Sequence, residues 1–363
     1  EHSRRRPLPG TATGKAAHKP LAIVCLPPAS MEIFRFAARS TTLPYVPHLR
    51  IAGSNTNISS CKAALLNGQK SKEGGAGVEL KHIAVREGRL SSFLKNEMGM
   101  STGLMNRLKW QEKIFVNGIS RHNDYTVQIG DVITALLDEP APEYPAEDGQ
   151  LTVLFEDDHI LAVDKPAGML IHPSRATMTG TLANRVVGYY RRTGQSCAFH
   201  PVTRLDRDTF GIVLLAKNAH VHALLNEMHS KGALCKTYHA LVAGGPATET
   251  GVIDAPIARR PLPSLLRYVN QEGKPSLTEF TVLQRGCDTC LLELRPVTGR
   301  THQLRVHCAH MGFPILGDPQ YGNEESRFLS QRQGITAQAL CAKRLTFVHP
   351  ITKEPVRLES QLN

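Results

Sequence analysis

Apolar residues in this chain form short runs separated by turn residues, and one run is unbroken. Residues 212–216 read Ile-Val-Leu-Leu-Ala and follow Gly211 and a charged stretch, residues 204–208. Five apolar residues that are rich in β-branched side chains and flanked by turn residues predict a buried strand, although a short helical segment shows the same pattern. The charged stretch is therefore predicted to lie at the mouth of a core strand. Loops held by such strands often carry binding or catalytic groups, but a solvated turn has the same composition.

Further helical and alternating patterns flank this stretch. Thr181 and Asn218 each precede apolar residues at helical spacing, so both are suitable N-caps. Residues 236–242 alternate, which predicts a strand with Tyr238, Ala240 and Val242 on one face. The remaining predicted elements here are strands over residues 151–156, 160–165 and 291–296, and a helix opening within residues 298–307.

Residues 82–137 have the pattern of a small α/β unit. Ser101 is a suitable cap for a helix that carries Arg107 and Lys109. Asn117-Gly118 between apolar residues predicts a tight hairpin, and residues 125–133 predict a further strand. An earlier helix is predicted from apolar residues at helical spacing, namely Leu90, Phe93, Leu94 and Met98.

Composition divides the chain into four segments. Residues 136–150 contain three prolines and five acids but no base, which predicts a linker. Residues 1–80 mix basic residues, prolines and glycines without a sustained period, which predicts a disordered extension. The predicted segments are the basic extension 1–80, the small module 81–137, the acidic linker 138–150 and a larger domain 151–363.

The basic charge is concentrated in the extension. Residues 1–80 hold 11 Lys and Arg against four acids, so they carry +7 of the net +11. The folded segments remain mildly basic, which suits either an RNA-contacting surface or a mixed-charge surface. Eight scattered cysteines favour a reducing compartment, and no apolar run approaches the roughly 18 residues of a membrane span. We expect a cytoplasmic protein without membrane association; acid-poor residues 31–50 leave organelle import as an alternative.

Three separated motifs resemble one enzyme family. Residues 204–211, Arg-Leu-Asp-Arg-Asp-Thr-Phe-Gly, are similar to the Arg-Leu-Asp-x-x-Thr-Ser-Gly signature of RluA-type RNA pseudouridine synthases, with Phe210 in place of Ser. Residues 299–307, Gly-Arg-Thr-His-Gln-Leu-Arg-Val-His, match the family's third motif. Lys-Thr-Tyr-His-Ala-Leu-Val around Tyr238 resembles its Lys-x-Tyr-x-Ala-x-Val. The resemblance implies an α+β fold with a mixed, largely antiparallel sheet flanked by helices.

The resemblance also implies an activity, the conversion of uridine in structured RNA to pseudouridine, and the residues that perform it. Asp206 would be the catalytic carboxylate, and Arg305 would pair with it and keep it ionised. Tyr238 would stack on the flipped base, although a Tyr in an alternating strand is also a common core residue. The residues expected to contact RNA are Arg204, Arg207, Arg300, His302, Leu304 and Lys165 in the large domain, and Arg107 and Lys109 in the module.

The module resembles the RNA-binding module shared with ribosomal small-subunit protein S-four, through residues 116–118 and 129–132. A small α/β adaptor domain is the alternative for this segment. The resemblance implies RNA as the partner, with large-subunit ribosomal RNA favoured and transfer RNA as the alternative. The implied reaction requires no metal or other cofactor, and no obligate protein partner is implied.

Two functions of other classes remain. One is an RNA-binding protein whose catalytic domain has lapsed, against which the intact Asp206, Tyr238 and Arg305 argue. The other is a zinc-dependent nucleic-acid binder. Cys287, Cys290, His302 and His307 have nearly the spacing of a zinc finger. A strand is predicted between the Cys pair and the His pair, and the family motif accounts for both histidines. We therefore favour histidines that are ordinary helix residues over histidines that bind a metal.

Overall fold

A computed structural model describes residues 78–138, 144–174 and 176–362. The disordered extension expected over residues 1–80 and the import segment within it therefore lie almost wholly outside the described residues. Among the described residues, none of the helices has both the length and the apolar character needed to cross a bilayer.

Strands dominate the described residues. They are β1 (Val78–Ile83), β2 (Gly88–Arg89), β3 (Ile114–Val116), β4 (Ile119–Ser120), β5 (Thr126–Val127), β6 (Val132–Leu137), β7 (Thr152–Glu156), β8 (Ile160–Lys165), β9 (His200–Pro201), β10 (Phe210–Ala216), β11 (Cys235–Ala243), β12 (Thr250–Asp254), β13 (Ile257–Arg259), β14 (Arg267–Val269), β15 (Leu277–Arg285), β16 (Thr289–Pro296), β17 (Leu340–Val348) and β18 (Pro355–Glu359). The helices are α1 (Leu90–Ser92), which continues as a π-helical turn over Phe93–Glu97, α2 (Thr102–Trp110), α3 (Leu182–Arg192), α4 (Ala219–Ser230), α5 (Gln303–His310) and α6 (Glu324–Arg332).

The large domain is built on one ten-stranded sheet. Its strand order is β12-β15-β16-β11-β17-β10-β8-β7, with β18 added to β17 and β9 added to β10. Strands β10 and β17 pair in parallel, and the other described pairs of this sheet are antiparallel. The sheet is therefore mixed and largely antiparallel, and the predicted α+β fold is confirmed.

Helices cover both faces of the central strands. Apolar residues of α3 pack against one face of β8 and β10, and those of α4 pack against the opposite face. All seven residues of β10 are consequently buried, which explains why its sequence is a continuous apolar run rather than an alternating one. Helices α5 and α6 cover opposite faces of β11 and β16 in the same way.

The beginning of β10 is tightly constrained. Gly211 has φ +108, and a Cβ there would lie 2.5 Å from the carbonyl oxygen of Ala342 on β17, so a side chain is excluded. Phe210, which replaces the expected Ser, is only 2% exposed and pairs with Cys341. Its bulk thus lies in the interior at the first position of the strand, beyond the loop that carries Asp206.

The predicted helix caps are present. The side chain of Ser101 accepts a hydrogen bond from the backbone N–H of Leu104 at 3.2 Å, and that of Asn218 accepts one from Val221 at 2.8 Å. Thr181 and Asn184 form a reciprocal capping box at the start of α3. Each cap satisfies a backbone donor that the first turn of a helix leaves unpaired.

The small module folds around its own apolar core beneath the sheet β1-β6-β3-β4. Asn117 and Gly118 have positive φ, 51° and 78°, and they join β3 to β4 as the sequence predicts. Strand β1 begins at Val78, before the boundary expected at residue 81, and pairs with β6 over its full length. The single strand predicted over residues 125–133 is divided into β5 and β6, because a turn at Gly130 intervenes.

The second half of the predicted linker is docked on the large domain. The Glu147 carboxylate accepts hydrogen bonds from the backbone N–H of Gly180 at 2.8 and 3.0 Å, and Asn184 donates to the carbonyl of Pro145 at 3.0 Å. A Cβ at Gly188 would lie 1.9 Å from the Glu147 carbonyl oxygen, so α3 carries glycine where this segment crosses it. Residues 144–150 are thus packed against α3 rather than forming a free linker.

Candidate active site

A cleft of about 890 Å³ opens between the loop of residues 202–209, strand β11 and the segment leading into α5. Both ends of the loop are fixed. Thr203 Oγ1 accepts a hydrogen bond from the backbone N–H of Leu214 at 2.9 Å, and Thr209 Oγ1 accepts one from Gln338. The loop therefore presents Asp206 to the cleft from an anchored backbone.

Asp206 and Arg305 form an ion pair although they are 99 positions apart in the chain. Arg305 Nη1 donates to Asp206 Oδ2 at 2.9 Å. The Asp206 side chain is 30% exposed, whereas that of Arg305 is 6% exposed. Within the described part of the chain, Asp206 Oδ1 accepts no hydrogen bond. The carboxylate thus has one oxygen on the guanidinium, and the residue itself lines the cleft.

Three residues that the sequence reasoning missed hold Arg305 in place. Asp318 accepts a bidentate pair, from Nε at 2.7 Å and from Nη2 at 2.8 Å. Nη2 also donates to Gln320 Oε1 at 2.8 Å, and the Tyr321 ring lies 4.9 Å from the guanidinium carbon. The only signal in the sequence is a polar Asp-Pro turn, residues 317–322, directly after a buried apolar pair.

Arg305 stays protonated in this environment. Burial disfavours the cation, but the hydrogen bonds and charge of Asp318, with a smaller contribution from Asp206, raise the pKa of Arg305 above its ordinary value. Because Asp318 occupies Nε and Nη2, the guanidinium turns Nη1 toward Asp206. The fork geometry of the Arg–Asp318 pair thereby fixes the direction from which Asp206 is contacted.

Tyr238 is both a core residue and a wall of the cleft. Its ring packs in the cluster that includes Ala240, Leu294 and Leu304, and it is 9% exposed. The same ring lines the cleft together with Asp206. Burial, reinforced by the charge of Asp206, raises the pKa of the Tyr238 hydroxyl above its ordinary value, so the phenol stays protonated.

The segment before α5 brings His302 beside this pair. His302 has φ +58, and its Nδ1 lies 2.8 Å from the hydroxyl of Tyr321, while its Nε2 lies 3.8 Å from Asp206 Oδ2. Burial lowers the pKa of His302, with the charge of Asp206 opposing this effect. The imidazole therefore lines the cleft as a polar group held by Tyr321.

Comparison with known proteins identifies the family. A family model described as RNA pseudouridylate synthase matches residues 159–310. An uncharacterized RNA pseudouridine synthase of Bacillus subtilis, YjbO, is 35% identical over 269 residues, which are 73% of this chain and 93% of the relative. The chain belongs to the RNA pseudouridine synthases. It is thus an isomerase that acts on RNA.

Two further proteins are similar to this synthase, one in sequence and one among the solved structures. Ribosomal large subunit pseudouridine synthase D of Xanthomonas campestris is 36% identical over 239 residues, covering 64% of this chain and 70% of that protein. Among solved structures, human RNA Pseudouridylate Synthase Domain Containing 1 is 26% identical, with a TM-score of 0.49 over 59% of this chain and 85% of the human chain.

Most of the expected RNA contacts of the synthase line the cleft. Arg204, Arg207, Arg300, His302 and Leu304 all border it. Arg207 Nε donates to the Gly168 carbonyl at 3.2 Å, and Arg300 Nε donates to the Pro275 carbonyl at 3.2 Å. Arg204 is exposed and forms no ion pair within the described residues. Arg107 and Lys109 lie apart from the cleft, on α2 of the module.

The expectation for Lys165 requires correction, because this residue has no access to RNA. Its side chain is fully buried, and Nζ donates to the carbonyl oxygens of Pro166, Met169 and Arg207, each at 2.9 Å. Burial lowers the pKa of Lys165 to about 7, with Asp208 and Asp206 opposing. Three acceptors require three N–H donors, which only the ammonium form supplies. Lys165 therefore ties residues 166–169 to the loop that carries Asp206.

Replacement of Lys165 by Met tests this role. Lys165→Met leaves three carbonyl oxygens without their donor, so we expect the free energy of unfolding to fall by about 1–3 kcal/mol. We expect the rate of pseudouridine formation to fall at least about tenfold, since misplacement of a catalytic loop by an ångström is costly. Urea denaturation and single-turnover kinetics measure the two effects. Lys231→Met, at an exposed lysine paired with Glu227, is the matched control and should change neither the stability nor the rate. A wild-type rate for Lys165→Met would contradict the proposed role of Lys165.

The zinc-finger spacing does not form a metal site in the synthase. His307 uses both ring nitrogens, at 2.9 Å from Thr278 Oγ1 and 3.0 Å from the Ala255 carbonyl. Cys290 is buried on β16, whereas Cys287 is exposed. Within residues 78–138, 144–174 and 176–362, no three His, Cys, Asp or Glu side chains are grouped to hold a metal ion.

Proposed function

We propose that this synthase converts uridine to pseudouridine in large-subunit ribosomal RNA, with Asp206, Tyr238 and Arg305 as its active groups. The observation that carries the proposal is the Asp206–Arg305 ion pair at the wall of a cleft that Tyr238 also lines. The choice of ribosomal RNA is supported by the name of the Xanthomonas relative, a ribosomal large subunit synthase.

The reaction suits this set of groups. The N1–C1′ bond of uridine breaks, the uracil turns, C5 bonds to C1′, and the proton of C5 is replaced by one at N1. Asp206 supplies the ionised carboxylate, acting either on the base or on the sugar. The aromatic face of Tyr238 supplies a platform for the detached uracil, because stacking on an aromatic ring is independent of the orientation of the base. Arg305 positions the carboxylate through the hydrogen bond from Nη1 to Oδ2.

Access to a uridine requires that the nucleotide leave its stack. Unstacking costs a few kcal/mol, which contacts between protein and RNA must offset. Arg204, which is exposed on the loop that carries Asp206, is suited to this role. We also propose residues 81–137 as an RNA-binding module that contributes affinity through Arg107 and Lys109, and residues 151–363 as the catalytic domain.

Pseudouridine mapping tests the proposed substrate. Unmodified large-subunit ribosomal RNA and unmodified transfer RNA are each incubated with the protein, and carbodiimide-dependent reverse-transcription stops are mapped. We expect new stops at a small number of uridines in the ribosomal RNA only. Stops confined to transfer RNA would replace the proposed substrate with the alternative, and an absence of stops in both would contradict the proposal.

The role proposed for the module predicts a change in RNA affinity. Arg107→Gln combined with Lys109→Gln removes two cations from α2, so we expect weaker RNA binding. The slope of log K against log salt should fall by about 1.4, which is about 0.7 for each single-strand phosphate contact. Trp110, the chain's one tryptophan, is 84% exposed beside them, so its fluorescence reports RNA on this helix. Glu112→Gln, which removes a nearby charge of opposite sign, is the control. An unchanged slope and no fluorescence response to RNA would favour the adaptor alternative.

A further inference from the structure

One lysine in the cleft has no counter-ion among the residues that the structure describes. Lys236 lies on β11 two residues before Tyr238, and both side chains line the cleft. Alternate residues of a strand point to the same side, about 6.5 Å apart. Lys236 thus lies on the same wall of the cleft as Tyr238, and the pairing of β11 with β17 shifts register between Thr237 and Tyr238.

The surroundings of the partly buried Lys236 differ from those of the buried lysines Lys165 and Lys217. Lys217 is paired with Glu156 at 2.7 Å, and Lys165 is surrounded by three carbonyl oxygens. Lys236 Nζ contacts only His229 Nε2, at 2.9 Å, and no carboxylate of the described residues lies within 4.0 Å of it. Burial lowers the pKa of Lys236 and also that of His229. A partly buried amino group without an anion is costly, which suggests that an anion comes from outside the chain.

The charge of the cleft favours an anionic occupant. Seven lysines and arginines border it against two acids, Asp206 and Asp208. Asp206 is already paired with Arg305, and the charge of Asp208 acts on the buried Lys165. The region around Lys236 therefore has positive charge that no group of the described chain neutralises. The groups of RNA that supply negative charge at neutral pH are its phosphodiesters.

We propose that Lys236 binds the backbone phosphodiester next to the uridine whose base lies on Tyr238; the inference rests on the proposed function. The spacing of Lys236 and Tyr238 is comparable to the distance from a pyrimidine ring to a phosphate flanking it. His229, at the C-terminal end of α4, accepts a hydrogen bond from the ammonium through Nε2 and directs the other two N–H groups. The phosphate is thereby held while the base is detached and turned.

Salt-dependent binding tests the site independently of turnover. The test RNA is a fluorescein-labelled stem-loop with uridines in its loop, chosen because Arg204→Gln weakens its binding, which establishes that it occupies the cleft. For Lys236→Met we expect affinity lower by about tenfold and a slope of log K against log salt smaller by about 0.7, which is one phosphate contact. Lys231→Met is the control, because Lys231 is an exposed lysine that pairs with Glu227. It should keep the wild-type affinity and the wild-type slope.

Neutral backbone linkages identify the ligand as a phosphate. The same stem-loop is prepared with methylphosphonate at the linkages flanking each loop uridine. Wild type should bind the phosphodiester RNA more tightly than the neutral RNA, whereas Lys236→Met should bind both equally. An equal slope for Lys236→Met and Lys231→Met, or equal discrimination by wild type and Lys236→Met, would overturn the proposal.

Stability separates this role from a structural one. Because Lys236 lacks a counter-ion, its replacement by Met should leave the melting temperature of the free protein unchanged or raise it, while RNA binding falls. If Lys236→Met does not fold, Lys236→Gln, which keeps a polar group beside His229, replaces it in the same slope measurement. Absence of pseudouridine in the mapping experiment would contradict the proposed function. The slope of log K against log salt for Lys236→Met tests the phosphate site separately.

Discussion

Asp206→Asn is expected to abolish pseudouridine formation while leaving RNA binding nearly intact. The amide has the size of the carboxylate, and its oxygen can still accept the hydrogen bond from Arg305 Nη1, which is 2.9 Å long in the wild type. The substitution therefore removes the charge and the nucleophilic or basic oxygen without opening a cavity. We expect the single-turnover rate to fall at least about 10³-fold, as is typical when a principal catalytic group is removed. Reverse-transcription mapping and filter binding on the same RNA measure the two quantities.

A neighbouring carboxylate provides the control. Asp208→Asn removes an acid from the same loop, two positions away, at a residue that forms no ion pair with Arg305. Its rate should remain within about tenfold of wild type, since it changes only the local charge. If Asp206→Asn formed pseudouridine at the wild-type rate, Asp206 would not be the catalytic group. If it kept full cellular function while forming none, the RNA-binding alternative would be favoured.

The parts of the fold that sequence predicts well are those fixed by local interactions. Ser101, Thr181 and Asn218 cap helices through bonds that reach only three residues along the chain. The β10 strand is also predictable, because the burial of both its faces leaves a continuous apolar run in the sequence. A cap that reaches three residues and an unbroken apolar run are both visible in a single sequence.

The parts that sequence did not predict depend on the path of the chain in three dimensions. The family resemblance predicts Lys165 as an RNA contact but does not give the direction of its side chain, which points inward to three carbonyl oxygens. Asp318 lies in irregular backbone 13 residues after Arg305, and only the folded path shows that they meet. Glu147 belongs to a segment whose composition indicates a linker, yet its contact with Gly180 comes from the packing of α3.

Asp318→Asn is expected to cause the largest loss of stability. The Asp318 side chain is fully buried and forms two hydrogen bonds with Arg305, whose side chain is also buried. An Asn at this position can still accept from the backbone N–H groups of Gln320 and Tyr321, which contact Oδ1 at 2.9 and 3.2 Å. The substitution thus removes the charge and also the acceptor for Arg305 Nε, because the amide nitrogen takes the place of Oδ2. Removing one partner of a buried ion pair costs about 3–5 kcal/mol, because the other charge is left uncompensated.

Thermal and urea denaturation measure this loss, with an exposed ion pair as the matched control. Asp288 contacts Arg332 at 2.7 Å, but both side chains are about half exposed, so Asp288→Asn should cost less than about 1 kcal/mol. We expect a fall in melting temperature of about 10 °C for Asp318→Asn. Equal effects of the two substitutions would show that Arg305 does not depend on Asp318 for its compensation.

The double variant Arg305→Met/Asp318→Leu separates stability from catalysis at the same place. Replacing both partners removes the uncompensated charge, so we expect it to recover much of the stability that Asp318→Asn loses. Pseudouridine formation should not recover, because Asp206 then lacks the guanidinium that holds it in place. Activity that returned together with stability would mean that Arg305 serves the fold alone. Stability without activity would place Arg305 in the reaction, as a positioning group held by Asp318.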